Sequence, residues 1–139
     1  MKLIYSIVLI LAGLSTVSAQ QVTKRNMNFI VGDIVCSNNS KLAGGEFFNC
    51  NEKSVDKFVG VFSGVEVRAN TRRDEVFVSK GIMEVNISEE ISKGDYLTTG
   101  FNGKAAKAKS DGYIIGVAIE PSANGKVKVA LDFKYIILK

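Results

Sequence analysis

The chain has 139 residues and a formal net charge of +4, with no histidine, no tryptophan, one proline and two cysteines. Without His the commonest general base and the usual catalytic triad are excluded, and two Cys alone make no zinc site. Lys and Arg are interleaved with Asp and Glu, so the mild positive excess forms no nucleic-acid footprint.

Residues 1–19 read MKLIYSIVLILAGLSTVSA: Lys2, an apolar run from Leu3 to Leu14, then the small residues Val17-Ser18-Ala19. That is the pattern of a secretory signal peptide, and the run is shorter than the ~20 apolar residues of a membrane span. The prediction is a signal helix cleaved after Ala19, leaving residues 20–139 as a single all-β domain. The alternative is a retained N-terminal anchor, and membrane contact is expected only through residues 1–19 if they stay uncleaved.

Gln20 to Asn26 is polar and reads as a lead-in, and Met27, Phe29 and Val31 suggest a first strand reaching Gly32. Asp33 to Cys36 continues after a turn, and Glu46 to Cys50 reads as a short strand beyond an Asn/Ser/Gly loop. Two cysteines in an exported chain suggest a Cys36–Cys50 disulfide, closing a loop of about 15 residues and contributing roughly 3 kcal/mol. Asn51 to Asp56 suits one helical turn. Phe58 to Arg68 is a strand whose Gly60 and Gly64 allow bends or close backbone approach. Arg68, Arg72 and Arg73 cluster in a basic turn, a possible anion contact whose bland alternative is a solvated loop.

Glu75 to Ile87 alternates as one strand, with Phe77, Met83, Val85 and Ile87 on the core parity. Its other parity is also largely apolar, which suits a central strand or one covered by a partner subunit. Ser88 to Lys93 is a charged connector. Asn102-Gly103 and Asn124-Gly125 predict two-residue hairpin turns, because Asn-Gly tolerates positive φ at both positions. Lys104, Lys107 and Lys109 alternate with alanines, as expected for an exposed edge strand. From Lys126 the chain alternates again, with Val127, Val129, Leu131, Phe133, Tyr135 and Ile137 expected to face inward.

Gly32-Asp33-Ile34-Val35 answers Gly94-Asp95-Tyr96-Leu97, and Phe58-Val59-Gly60-Val61 answers Ile114-Ile115-Gly116-Val117. The expectation is therefore a compact barrel- or clip-like all-β domain of about 8–10 short strands, built from two pseudo-repeated units at about 32–87 and 94–137. Gly32, Asp33, Gly94 and Asp95 read as turn-formers, with glycine taking positive φ and the Asp carboxylate accepting a local N–H. A paired Asp33/Asp95 carboxylate site is the rival reading.

The runs Gly81 to Ile87, Ser92-Lys93-Gly94-Asp95-Tyr96-Leu97-Thr98-Thr99, Gly112 to Glu120 and Gly125 to Val129 come in a telling order. They resemble a β-rich C-terminal domain of bacterial exported proteins and phage tail-fibre or appendage proteins, similar to an autoproteolytic intramolecular chaperone domain. Phe58 to Ser63 matches an upstream strand of that family, so the likeness covers about Phe58 to Leu131. Ile82 and Glu84 depart from it, standing where the family has Arg and Pro. No self-cleavage residues can be placed on this chain. The resemblance implies an all-β assembly or interaction domain, with a trimer favoured.

The function expected is an exported structural, assembly or interaction domain without catalytic residues, metal or cofactor. It would act as a homo-oligomer on the cell surface, in the periplasm or in a virion, with a surface or virion protein or a glycan as further partner. The alternatives are a secreted carbohydrate- or ligand-binding module, for which Tyr96, Phe101, Tyr113 and Tyr135 would supply stacking rings, and an autoproteolytic chaperone-type domain. Asn38-Asn39-Ser40 and Asn86-Ile87-Ser88 match the glycosylation sequon.

Overall fold

A computed structural model describes residues 19–23, 29–38, 46–67 and 73–138. These residues form ten strands: β1 Ala19–Thr23, β2 Ile34–Ser37, β3 Phe47–Asn49, β4 Phe58–Val67, β5 Arg73–Val78, β6 Gly81–Asn86, β7 Tyr96–Thr99, β8 Ala105–Lys107, β9 Gly112–Ala118 and β10 Lys126–Ile136. Short 3₁₀ turns at Val55–Lys57 and Phe101–Gly103 are the only helical elements among the described residues. The signal segment 1–18 lies outside them.

The strands divide into two open sheets rather than one closed barrel. One has the order β1-β5-β4-β2-β3 and the other β6-β10-β9-β7-β8, antiparallel throughout. Numbered from its own first strand, each sheet has the same order, 1-5-4-2-3.

Between the sheets lies a shared core. Ile34, Cys36, Val61 and Val78 of the first sheet meet Val85, Leu97, Ile115, Ala118, Val127, Val129 and Leu131 of the second. A second cluster of Val35, Phe47, Phe62 and Phe77 belongs to the first sheet alone, with Phe29 and Val59 packed on it. Cys36 and Cys50 are disulfide-bonded, with Cα atoms 5.1 Å apart, and both are fully buried. The bridge ties β2 to the end of β3 inside the shared core, where it links two segments 14 residues apart in sequence.

Four expectations are corrected. Ala19–Thr23 is not a lead-in but an edge strand paired with β5, Ala19 opposite Val78 and Thr23 opposite Asp74. Phe29 to Gly32 is not a strand: Val31 and Gly32 turn, and Phe29 packs its ring on Phe62 and Phe77 instead. The apparent single strand Glu75 to Ile87 is two strands in different sheets, broken at Ser79-Lys80 and at Gly81, whose φ of 92° turns the chain from one sheet into the other. The sheets accordingly divide at 78/81, not at 87/94. β5 is an interior strand between β1 and β4, buried from Asp74 to Val78 on both parities, whereas β6 is an edge whose Ile82 stays exposed.

The fourth correction concerns β10. Val127, Val129 and Leu131 are buried as expected, but Phe133, Tyr135 and Ile137 are 38%, 58% and 67% exposed. β10 has 11 residues and its neighbour β6 only 6, ending its pairing at Leu131 opposite Gly81. A register shift then places Asp132 and Phe133 opposite the single residue Ile115. Beyond this bulge β10 pairs only with the first residues of β9, Lys134 to Ile136 opposite Ile114 to Gly112. The two strands leave the sandwich as a ribbon, and the apolar alternation runs on after its cover has ended.

Candidate interaction surface

Three rings of this ribbon and one of β4 form a continuous row. Phe58, at the start of β4, stacks on Phe133 at 5.6 Å between centroids and 25° between planes. Phe133 stacks in turn on Tyr113 at 5.1 Å and 3°, and Tyr113 meets Tyr135 edge-to-face at 5.3 Å and 90°. Tyr113 and Tyr135 are direct cross-strand partners, and Phe133 lies two residues along on the same face. Each such contact is worth about 0.5–1.5 kcal/mol beyond the area it buries, enough to hold the rings in one arrangement.

The ribbon is pinned at its end. The Leu138 N–H donates to Asp111 Oδ1 at 2.8 Å, and the Thr98 hydroxyl donates to the Tyr113 carbonyl at 3.1 Å. Asp132 and Lys134 form a solvent-exposed ion pair at 3.2 Å, of little energetic weight. From Asp132 onward the edge of β10 away from β9 has no strand partner among the described residues. An open backbone edge thus lies beside exposed Phe133, Tyr135 and Ile137.

The row also limits what it can bind. Phe133 has Phe58 stacked on it as well as Tyr113. Stacking on a sugar requires an open ring face, and Phe133 has little to offer, whereas Tyr135 meets only the edge-to-face contact with Tyr113 and stays 58% exposed. Of the four aromatics expected as a platform, Tyr113 and Tyr135 join the row, while Tyr96 and Phe101 are exposed elsewhere, on β7 and in the turn after it. Phe133, expected inside, and Phe58 complete the row in their place.

The turn-formers occupy two matching turns. In the first, the Asp33 N–H donates to the Ile30 carbonyl at 2.9 Å and Asp33 Oδ2 accepts from the Ile30 N–H at 3.3 Å. In the second, the Asp95 N–H donates to the Ser92 carbonyl at 3.1 Å and Asp95 Oδ2 accepts from the Ser92 N–H at 2.8 Å. The Gly32 N–H donates to the Phe62 carbonyl and the Gly94 N–H to that of Ala118, at 2.9 and 2.8 Å. The Phe62 N–H returns to the Asp33 carbonyl and the Ala118 N–H to that of Asp95, both at 2.9 Å. Gly32 and Gly94 have φ of 95° and 89°, as such a turn demands. Each carboxylate is thus engaged by its own turn, and Asp95 also faces the Lys107 ammonium at 3.7 Å.

Asn86 has a structural role that its sequence context did not signal. Its Nδ2 donates to Asp33 Oδ1 at 2.8 Å and to the Val31 carbonyl at 3.1 Å, and its Oδ1 accepts from Lys126 Nζ at 3.1 Å. The side chain clamps the Gly32-Asp33 turn of one sheet to the edge of the other. Its amide is therefore engaged, although it heads a sequon.

Asn102 and Gly103 take positive φ, 53° and 80°, but in a three-residue 3₁₀ loop rather than a two-residue turn. The reason lies in the Gly103 N–H, which donates to the Cys50 carbonyl at 2.7 Å and draws the loop onto the disulfide. Asn124 and Gly125, with φ of 56° and 75°, do form a two-residue turn closed by Ala123 and Lys126. The lysine-rich strand β8 is an edge, and Lys109 pairs with Glu89 at 3.5 Å. Arg68 and Arg72 lie outside the described residues, and Arg73 opens β5 opposite Val67. Among the described residues there is no group of three or more His, Cys, Asp or Glu side chains able to hold a metal, and no helix long and apolar enough to cross a membrane.

Comparison with known proteins finds no matching family model, no matching curated protein and no matching solved structure.

Proposed function

We propose that this chain is an exported, non-catalytic all-β domain that works by self-association, as a homo-oligomer with a trimer favoured. The observation that carries this reading is the overhang of β10, where Phe133, Tyr135 and Ile137 continue the core-facing alternation into solvent beside an open strand edge. A core pattern extended past its own sheet suits a surface that is covered in use. Export is supported by the signal-like segment 1–19 and by a buried disulfide, which persists in oxidising compartments. The resemblance to an exported assembly domain points the same way.

We read the fold as a duplicated five-strand unit. Its support is the common strand order, the four matched hydrogen bonds of the Gly-Asp turns, and a matched pair of tight glycines. Gly60 lies opposite Val35, as Gly116 lies opposite Leu97, and a Cβ on either would run into a carbonyl of the next strand, Val78 or Ala130.

Size-exclusion chromatography with light scattering tests the reading. A discrete oligomer at micromolar concentration is expected, and a clean monomer of the signal-cleaved chain overturns self-association. A glycan screen checks the carbohydrate-binding alternative, for which stacking leaves Phe133 little free face and Tyr135 the more exposed ring.

A further inference from the structure

The two sheets can be aligned residue by residue through their pairing. Val61 lies opposite Val78, and its counterpart Val117 lies opposite Ala130. Val78 therefore corresponds to Ala130, and Phe77 to Val129, since Phe62 and Ala118 are their partners. Past Val78 the chain runs through Ser79-Lys80 into β6, Gly81–Asn86, which crosses to the other sheet and pairs along the first half of β10. Counted in the same way past Ala130, the counterpart of β6 is Phe133–Leu138, the overhang.

The pattern agrees at Tyr135 and Ile137 and differs at Phe133, Lys134, Ile136 and Leu138, which stand against Gly81, Ile82, Glu84 and Asn86. Tyr135 falls on Met83 and Ile137 on Val85, the β6 residues that lie opposite Val129 and Val127 and pack in the shared core. The strand that would receive the overhang is the counterpart of β10's first half, namely β5, whose residues Asp74 to Val78 are buried on both faces. The overhang carries Phe133, Tyr135 and Ile137 on one parity and Lys134, Ile136 and Leu138 on the other, so it is apolar except at Lys134. The place beside β5 is held in the same chain by β1, a five-residue edge strand that pairs with β5 alone.

We propose that Phe133–Leu138 of one copy pairs antiparallel along β5 of a second copy, in the place of β1, with Tyr135 opposite Phe77 and Ile137 opposite Glu75. This rests on the self-association and duplication readings above and names their geometry. The overhang keeps its ladder to β9 and uses its open edge, so the second sheet of one copy becomes continuous with the first sheet of the next. Such a contact is heterologous: donor and acceptor surfaces differ, and assembly closes into a ring or runs on as a filament.

The test uses the full chain and a donor-dead variant, Y135K/I137K, whose β5 is unchanged. Alone, the variant is expected to be monomeric. Mixed in equal amounts with wild type, affinity-tagged variant is expected to enter the wild-type complexes as an acceptor and to lower their mean mass. Exclusion of the variant would mean that overhangs pair with each other, and undiminished self-association of the variant would place the contact elsewhere; either overturns the proposal. Wild type that stays monomeric overturns the self-association reading itself. Y135S/I137S repeats the experiment without added charge should the lysines impair folding. Hydrogen exchange reads the displacement directly, with Ala19–Thr23 amides exchanging faster in the assembled protein than in the monomeric variant. Equal protection of both would show that β1 stays in place, and would refute the exchange.

Discussion

Replacing Gly116 by alanine adds one methyl group where the structure has no room for it. The new Cβ would collide with the Ala130 carbonyl oxygen and lie 2.7 Å from Val129 Cγ1. Val129 is fully buried in the shared core, and Ala130 is held in β10 between β6 and β9. Neither neighbour is the free end of a flexible side chain, so relief requires β9 and β10 to part at the middle of their ladder. Overpacking of a tight core costs about 1–3 kcal/mol, and a backbone obstacle puts this site at the upper end, about 3 kcal/mol. For a domain of this size that lowers Tm by roughly 10 °C. Gly60→Ala meets the Val78 carbonyl at 2.9 Å, a milder collision expected to cost about 1–2 kcal/mol. Gly94→Ala meets nothing within 4 Å and pays only for a φ of 89°, about 1–2 kcal/mol. Urea midpoints of the three variants, at constant m, rank them. A Gly116→Ala loss below about 1 kcal/mol, or one smaller than that of Gly60→Ala, would refute the close-approach argument.

Removing the disulfide with Cys36→Ala and Cys50→Ala should lower stability by about 3 kcal/mol, read from urea midpoints against the oxidised wild type. Asn86→Ala leaves the buried Asp33 carboxylate without its 2.8 Å donor; a loss of about 1.5–3 kcal/mol is expected, and Asn86→Asp should cost more by setting a second carboxylate beside the first. Phe133→Ala removes the ring between Phe58 and Tyr113. Because this residue is over a third exposed, the loss should stay near 1–2 kcal/mol, below the ~3–5 kcal/mol of a fully buried Phe, while self-association weakens markedly in light scattering.

Turn chemistry was the most legible layer of the sequence. Gly-Asp and Asn-Gly announce backbone conformations that few other residue pairs accept, and all four pairs sit in turns with positive φ at the glycine. The disulfide was readable from cysteine count and export context. The break after Val78 was not, because Glu75 to Ile87 keeps an alternating pattern across it and nothing in hydropathy marks a change of sheet. Only Gly81 hinted at it, and a single glycine within a strand pattern more often signals a bulge. The Asn86 clamp was hidden for a different reason. A lone polar residue at the end of a strand has many solvated precedents, and its partners Val31 and Asp33 lie more than fifty residues away in sequence.

The overhang shows where the alternation rule stops. Alternation reports which face of a strand a side chain takes; it carries no information about where the opposing sheet ends. Val127 and Ile137 fall on the same parity of β10 and its continuation, yet one is 2% and the other 67% exposed; within its own sheet β10 also loses β6 after Leu131 and keeps only β9 beyond the bulge at Asp132-Phe133. Exposed strand positions of this chain can be polar, as Lys126, Lys128, Asp132 and Lys134 are, so the apolar Phe133, Tyr135 and Ile137 call for a reason. Apolar residues persist at Phe133, Tyr135 and Ile137, on the parity that is core-facing upstream, and at Ile136 and Leu138 on the other. A face that is covered in use, as proposed above, would account for them, and the likeness of Tyr135 and Ile137 to Met83 and Val85 is the reason for proposing a strand of the same chain as the cover.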